Sequence, residues 1–454
     1  MRETIPRFLI AGTGSGCGKT TVTAAVLRAL VDRGTDAAGF KCGPDYIDPM
    51  FHSRITGTPC ASLDPFFFSE NTLRLLLAKS GLGRTVSVIE GVMGYYDGLG
   101  LGDECSTFSV ARATRSPVVL VVNARGTALS ALAVLRGFWD FRPDSGIRGV
   151  IFNGCSAMLY PRLAAAAAAE FGADVRPLGY LPPLPECSLE SRHLGLVTAD
   201  EVADLEKKLQ LLSRQAEQSL DLDGLLELAG AAPEVDYDPL PLPPPGEKVR
   251  VAVARDAAFC FYYADSLDLL RLLGAELVPF SPMADRALPE EIDGLYLGGG
   301  YPELHTGALR GNRAMLRAVK AAVAEGLPVI AECGGFMYLT EAIGEAPMAG
   351  ALPGRCFDAG RLTRFGYIRL QAERDNLLCP AGESIPAHEF HHWDCTASGT
   401  DFLAEKPGGR AWKAAVGTQT LYAGFPHFHF YANPAFAQRF YEACLKEKHR
   451  HGRD

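Results

Sequence analysis

Between Ala232 and Lys248 the chain carries six prolines, and this run cuts it into two. Proline fixes its own φ and has no amide proton, so so dense a stretch is extended and semi-rigid and cannot enter a helix or a central strand. Each side must then bury a core of its own. At 454 residues the chain is too long for one ordinary domain. The proline run predicts a first domain over residues 1–231, a linker over 232–248 and a second domain over 249–454.

Both sides read as α/β. In the first, the runs Phe8–Ala11, Val86–Glu90, Val118–Asn123, Gly149–Asn153 and Pro177–Tyr180 are strand candidates, and the Ala164–Ala169 run reads as a tightly packing helix. Their hydrophobicity is continuous rather than alternating, which suits strands covered on both faces of a doubly wound, mostly parallel sheet. In the second, Val249–Ala254, Ala275–Phe280, Gly294–Leu297 and Pro328–Ala331 are strand candidates, with helices over Ser266–Leu273 and Ala314–Ala324. Past residue 360 short strands and loops are expected. A hydrophobic content of 48% is that of a chain with full cores, and no apolar run nears the 18 residues of a membrane span. The formal charge of −9 argues against a nucleic-acid partner. Twelve scattered cysteines without a C-x-x-C pair read as buried thiols of a reducing, cytoplasmic setting.

The first chemical signature is Gly12-Thr13-Gly14-Ser15-Gly16-Cys17-Gly18-Lys19-Thr20, between a strand and the helical stretch Thr21–Val31. Glycines let the backbone approach a phosphate closely, amides and the helix N-terminus face the anion, Lys19 adds charge, and the Thr20 hydroxyl can bind Mg2+. Thr13 stands where the strict motif has its first glycine, and Cys17 is a spacer. Mg2+ needs further oxygens. They are expected from the loop Lys41-Cys-Gly-Pro-Asp45-Tyr46-Ile-Asp48-Pro and from Glu90, which ends a buried strand where open α/β sheets bind ligands.

The second signature is Val329-Ile-Ala-Glu-Cys333-Gly334-Gly335, followed by a helical stretch Phe336–Glu341. A turn from strand to helix with flanking glycines exposes a nucleophile and aims amides at a developing oxyanion. His427 and His429, in β-like alternation, are the candidate bases. Gly298, Gly299 and Gly300 can supply further oxyanion amides, with Gly334. His388-Glu389-Phe-His391-His392 satisfies H-E-x-x-H, but that zinc motif needs a helix. Pro386 before it and Asp394, Thr396 and Gly399 after it suit a strand or loop, where positions 388 and 392 stand ~13 Å apart.

Several stretches together resemble the cobyrinate a,c-diamide synthases, glutamine-dependent amidotransferases of corrin biosynthesis. They are Gly43-Pro-Asp45-Tyr-Ile-Asp48-Pro, Glu90-Gly-Val-Met-Gly…Asp97-Gly, Arg192-His-Leu-Gly-Leu-Val, Leu297-Gly-Gly-Gly-Tyr-Pro-Glu303 and Ala331-Glu-Cys333-Gly-Gly-Phe-Met-Tyr-Leu. The resemblance spans nearly the whole chain. It implies a P-loop domain similar to dethiobiotin-synthetase-like ATPases, then a class I glutamine amidotransferase-like α/β domain. It implies that Cys333 attacks glutamine with His427 as base and that Gly299, Gly300 and Gly334 form the oxyanion site. ATP would lie on Thr13–Thr20 and Asn153, with Mg2+ on Thr20, Asp45 and Glu90, and the substrate carboxylates near Asp45, Tyr46, Asp48 and Asp97. The implied partners are small molecules: ATP, glutamine and a corrinoid carboxylate.

The chain also departs from the pattern. Class I amidotransferases place a Glu two residues beyond the histidine; here His429 stands there, which implies a Cys–His dyad. Two other readings stay open at this point: the same chemistry on nickel-sirohydrochlorin or hydrogenobyrinate, and a regulatory ATPase with an inactive amidotransferase module.

Overall fold

The computed structural model describes residues 1–187, the backbone at 191–192 and 195–196, and residues 204–452. The side chains of the Arg192–Val197 stretch therefore lie outside the described residues. The chain forms two compact units, Met1–Leu240 and Pro241–Asp454. The division falls inside the proline run, because the start of that run packs onto the first unit. Val235 and Asp236 pair antiparallel with Arg2 and Glu3, and the fully buried Arg7 donates to the carbonyls of Thr114 and Pro233.

The first unit is built on a seven-stranded sheet. Named by first residue, its strands run in the order Ala61, Ala37, Val86, Arg7, Val118, Ile147, Arg176, and every pair is parallel. The five strands expected from hydrophobic runs are present; Ala37–Cys42 and Ala61–Leu63 are additional. The alanine run lies within the helix Tyr160–Phe171. Arg7–Gly12 and Val86–Glu90 are buried at every position, as strands covered on both faces must be.

The second unit centres on a six-stranded sheet in the order Ala275, Val249, Gly294, Val329, Leu421, Val416, parallel except for the last pair. The short-strand region beyond residue 360 contains a five-stranded antiparallel sheet. The chain then continues into the helix Pro434–Arg450, which the expectation of strands and loops did not include. Asn433 caps it through the amide of Ala435, and Pro434 stands at its first position. Among the described residues no helix is long and apolar enough to cross a membrane.

Candidate active sites

In each unit the chemistry-bearing residues gather at the carboxyl ends of three adjacent parallel strands. In the first unit these are Arg7–Gly12, Val86–Glu90 and Ala37–Cys42, with Glu90 opposite Ile10 on one side and opposite Lys41 on the other. The phosphate loop leaves the first of them. Gly16 and Gly18 have φ of 75° and 97°, a region that glycine enters without strain. Asn153 donates to the carbonyl of Cys17 at 2.9 Å, so it holds the underside of the loop. A Cβ on Gly18 would stand 2.0 Å from the Asn153 amide nitrogen. Lys19 opens the helix Lys19–Asp32 and donates to the carbonyls of Gly14 and Met93.

A buried ionic cluster adjoins the loop. The Thr20 hydroxyl donates to Glu90 Oε1 at 2.7 Å and lies 3.5 Å from Asp48 Oδ2. Lys41 Nζ is 2.8 Å from Asp48, 3.4 Å from Glu90 and 3.9 Å from Asp45. His52 Nε2 is 2.6 Å from Glu90 Oε2. Burial disfavours the charge on Glu90, but Lys41 and His52 outweigh it and hold the carboxyl well below its usual range. Burial, with Asp45 and Glu90 beside it, pushes Asp48 well up despite Lys41. Asp48 Oδ1 is buried and has no hydrogen-bond partner.

The stretch Lys41–Pro49, expected as a loop, is a strand end and a helix start. Lys41 lies in the strand Ala37–Cys42, and the helix Ile47–Thr56 begins after a short turn. Asp45 Oδ1 accepts from the amides of Ile47 and Asp48, tying off that helix end. Pro49 is tolerated because the first turn lacks intrahelical donors. Tyr46 is half-buried beside it, and Asp97 is exposed in the loop after Glu90, its Oδ2 accepting from Gly94. Lys41 and His52 were not singled out by the sequence. The available signal for His52 was its spacing, four residues after Asp48 on one helix face.

In the second unit the three strands are Gly294–Leu297, Val329–Glu332 and Leu421–Gly424. They lead respectively into Gly298–Gly300, Cys333 and Phe425-Pro426-His427. Cys333 sits at φ 47°, ψ −101°, a strained setting for a residue with a side chain. Its amide donates to Gly424 O, and that of Gly335 donates to Gly298 O. The glycines leave no room for anything larger. A Cβ would stand 2.1 Å from Leu297 O at Gly335, 2.2 Å from Ala258 O at Gly300 and 2.5 Å from the His427 ring at Gly299. At Gly334 it would meet the Gly300 amide nitrogen at 3.1 Å, so these two backbones run side by side. The helix after Cys333 is Gly334–Leu339, and the chain has turned into a strand by Ala342.

His427 is hydrogen-bonded to Cys333 and, through Nδ1, to Glu332 Oε2 at 3.0 Å. An acidic partner thus stands on the far ring nitrogen where the sequence implied a Cys–His dyad, and it is Glu332, the residue before Cys333. Tyr296 donates its hydroxyl to the other Glu332 oxygen at 2.9 Å. Burial lowers the His427 pKa, but the hydrogen bonds to Cys333 and Glu332 outweigh it and raise it to about 10. The imidazole is thus held as imidazolium between the two. His429, two residues on, is also in extended backbone. Its ring packs on Tyr263, and Nδ1 accepts from the Tyr431 amide as the chain leaves the strand.

The H-E-x-x-H residues lie on the strand Ser384–His391 and just past it, as a strand or loop reading requires, and strand geometry cannot bring residues 388 and 392 to one zinc. His388 instead stands opposite His427 in register, and burial pushes its pKa down to about 3. Burial raises Glu389 to about 7.

Residues 8–232 match the family described as "CobQ/CobB/MinD/ParA nucleotide binding domain", and residues 250–435 match "CobB/CobQ-like glutamine amidotransferase domain". Among curated proteins, the cobyrinate a,c-diamide synthase of Listeria innocua is 40% identical over 96% of this chain and 99% of its own. Those of Thermoplasma volcanium and Priestia megaterium are 39% and 36% identical over 97% of this chain and 98% of theirs. With both units matched end to end at this identity, the chain belongs to the cobyrinate a,c-diamide synthase family.

Proposed function

We propose that this protein converts the a- and c-side-chain carboxylates of cobyrinate to amides, using ATP and glutamine-derived ammonia, in cobalamin biosynthesis. Residues 1–231 act as the ATP-dependent amide synthetase and residues 249–454 as the glutaminase. The observation that carries the reading is the Cys333–His427–Glu332 arrangement, in the same chain as a complete phosphate loop.

In the glutaminase half, the Cys333 sulfur attacks the glutamine side-chain carbonyl carbon. Amides of Gly299, Gly300 and Gly334 receive the oxyanion. His427, oriented by Glu332, passes a proton to the departing ammonia. Water then releases glutamate from the thioester with His427 as base.

In the synthetase half, Thr13–Thr20 cradle the ATP phosphates above Asn153, and Lys19 moves from its carbonyl partners to the phosphate oxygens. The γ-phosphoryl group passes to a substrate carboxylate oxygen, giving an acyl phosphate and ADP. Ammonia attacks the acyl carbon and phosphate leaves; the cycle runs once for each amide. Asp45, Tyr46, Asp48 and Asp97 line the substrate side.

The residues around Thr20 fit a hard divalent cation. Glu90 Oε1 and Asp48 Oδ2 lie 2.7 and 3.5 Å from Thr20 Oγ1, all three are hard oxygen ligands, and Asp48 keeps one buried oxygen without a partner. Among the described residues no group of three or more acidic, His or Cys side chains is placed to hold a metal alone. Mg2+ would therefore be shared with the phosphates, where it would neutralise charge developing in phosphoryl transfer. Asp45 stands one step back, with one oxygen spent on the helix end.

The test is mass spectrometry of products formed from ATP, glutamine and a panel of macrocycles: cobyrinate, hydrogenobyrinate and nickel-sirohydrochlorin. A gain of two amides on cobyrinate supports the reading. Amidation of another ring alone, or of none, overturns it.

A further inference from the structure

All twelve cysteines are free thiols, yet two of them face each other across a pair of strands in the second unit. Cys356 lies on the strand Arg355–Asp358 and Cys395 on Trp393–Cys395, antiparallel neighbours in which the two residues stand directly opposite. Antiparallel partners alternate between wide, hydrogen-bonded pairs and narrow, non-bonded ones. The ladder bond here runs from the Thr396 amide to Arg355 O, one position away. Cys356 O accepts instead from Gly344, and the Cys395 amide donates to Asp394 Oδ1. Cys356 and Cys395 are therefore a narrow pair, with Cα atoms ~4.5 Å apart. A disulfide spans ~4.4–6.8 Å between Cα atoms, so the strands need not rearrange to be joined here.

The two thiols are hydrogen-bonded to each other. That bond, with burial, raises Cys356 far above the ordinary thiol value, and it draws Cys395 below that value against burial. Cys395 is also the more open of the two, 8% exposed against 1%, so it is the sulfur that a small oxidant meets first. The pair is linked to the nucleophile. Cys356 Sγ lies 3.6 Å from Thr340 Oγ1, which donates to Met337 O at 2.7 Å. Met337, in the helix Gly334–Leu339, donates its amide to Cys333 O at 2.9 Å. Cys333, Cys356 and Cys395 share one buried cluster.

We propose that Cys356 and Cys395 form a redox switch: hydrogen peroxide joins them in a disulfide, and the bridge lowers glutamine hydrolysis at Cys333. The Cys395 thiolate attacks one peroxide oxygen, the O–O bond breaks and hydroxide leaves, giving a sulfenic acid. The Cys356 sulfur then attacks the Cys395 sulfur. The S–S bond forms, the S–O bond breaks, and hydroxide departs as water with the Cys356 proton. Two thiols are oxidised, and one peroxide is reduced to water. The bridge draws Cys356 from Thr340, whose hydroxyl holds the end of the helix that follows Cys333. The effect on activity rests on the glutaminase function proposed above; formation of the bridge does not.

The experiment compares the full-length wild type with Cys395→Ser and Cys356→Ala, each treated with hydrogen peroxide and then with dithiothreitol. Peptide mass mapping reads the bridge, and glutamate release reads activity. Wild type is expected to show a Cys356–Cys395 cross-link, lighter by both thiol hydrogens. Its glutamate release is expected to fall about fivefold or more and to return with dithiothreitol. Both variants are expected to stay within about twofold of their untreated rates. Absence of the cross-link in wild type overturns the proposal. So does an equal loss of activity in wild type and variants, which would place the sensitive sulfur at Cys333. Should both variants misfold, the time course in wild type decides: activity lost in step with the cross-link supports the switch, and activity lost before it overturns it. If the reduced wild type releases no glutamate, the functional reading fails, and the cross-link alone decides whether the two thiols are a redox pair.

Discussion

Glu332 accepts the Nδ1 proton of His427 at 3.0 Å, while Cys333, the next residue, bonds to the same ring. Successive side chains of a strand point to opposite faces, so neighbours 332 and 333 could not both address one imidazole from a regular strand. The turn to φ 47° at Cys333 removes that restriction. Backbone strain at the nucleophile and the acid's place in sequence are thus one device.

Replacing Glu332 by Gln keeps the shape and removes the charge that holds the imidazolium. Glutamine-dependent amidation is expected to fall about 10²- to 10⁴-fold in kcat, with ammonia-dependent amidation preserved. Parallel assays with the two nitrogen donors check this; equal losses with both donors would assign Glu332 a purely structural role.

The pH dependence follows from His427. Its folded pKa of about 10 is raised above the ordinary value, so the stability it contributes is fully present below about 6.5 and is lost as pH rises through about 10. Melting of the second unit is expected to drop between pH 7 and 10 more steeply in wild type than in His427→Asn. Calorimetry across that range measures it.

Lys41 is the cation between Asp48, Glu90 and Asp45. Lys41→Met leaves buried acids facing one another and is expected to cost about 3–5 kcal/mol of first-unit stability. Adding Asp48→Asn should recover a large part, since it removes the acid nearest the lost cation. Urea unfolding of the single and double variants gives the coupling energy.

Gly335 donates to Gly298 while its Cα faces Leu297 O, so a methyl there meets backbone 2.1 Å away. Gly335→Ala is expected to destabilise the second unit by at least ~2 kcal/mol and to abolish glutamine use by moving Cys333. Thermal unfolding and glutamate release report the two effects separately.

The sequence disclosed what is local. Gly12–Thr20 and Ala331–Gly335 each lie where a buried apolar strand meets a helix, so motif and context are contiguous, and the strands beneath them read correctly from continuous hydrophobicity. Relationships across the sheets were not legible. Lys41 reaches Glu90 through strand register between Ala37–Cys42 and Val86–Glu90, and Ala-Ala-Gly-Phe carries little strand signal. The acidic partner of His427 does not follow it in sequence but is Glu332, which strand pairing brings from 95 residues earlier.

The proposed function divides the labour: Cys333 would liberate ammonia and the phosphate-loop unit would use it. Diamide formation by Cys333→Ser, measured with glutamine and then with added ammonium, tests it most directly. The expected result is no diamide from glutamine and a rate close to wild type from ammonium. A folded Cys333→Ser protein that fails with ammonium as well, or that still uses glutamine, would contradict it.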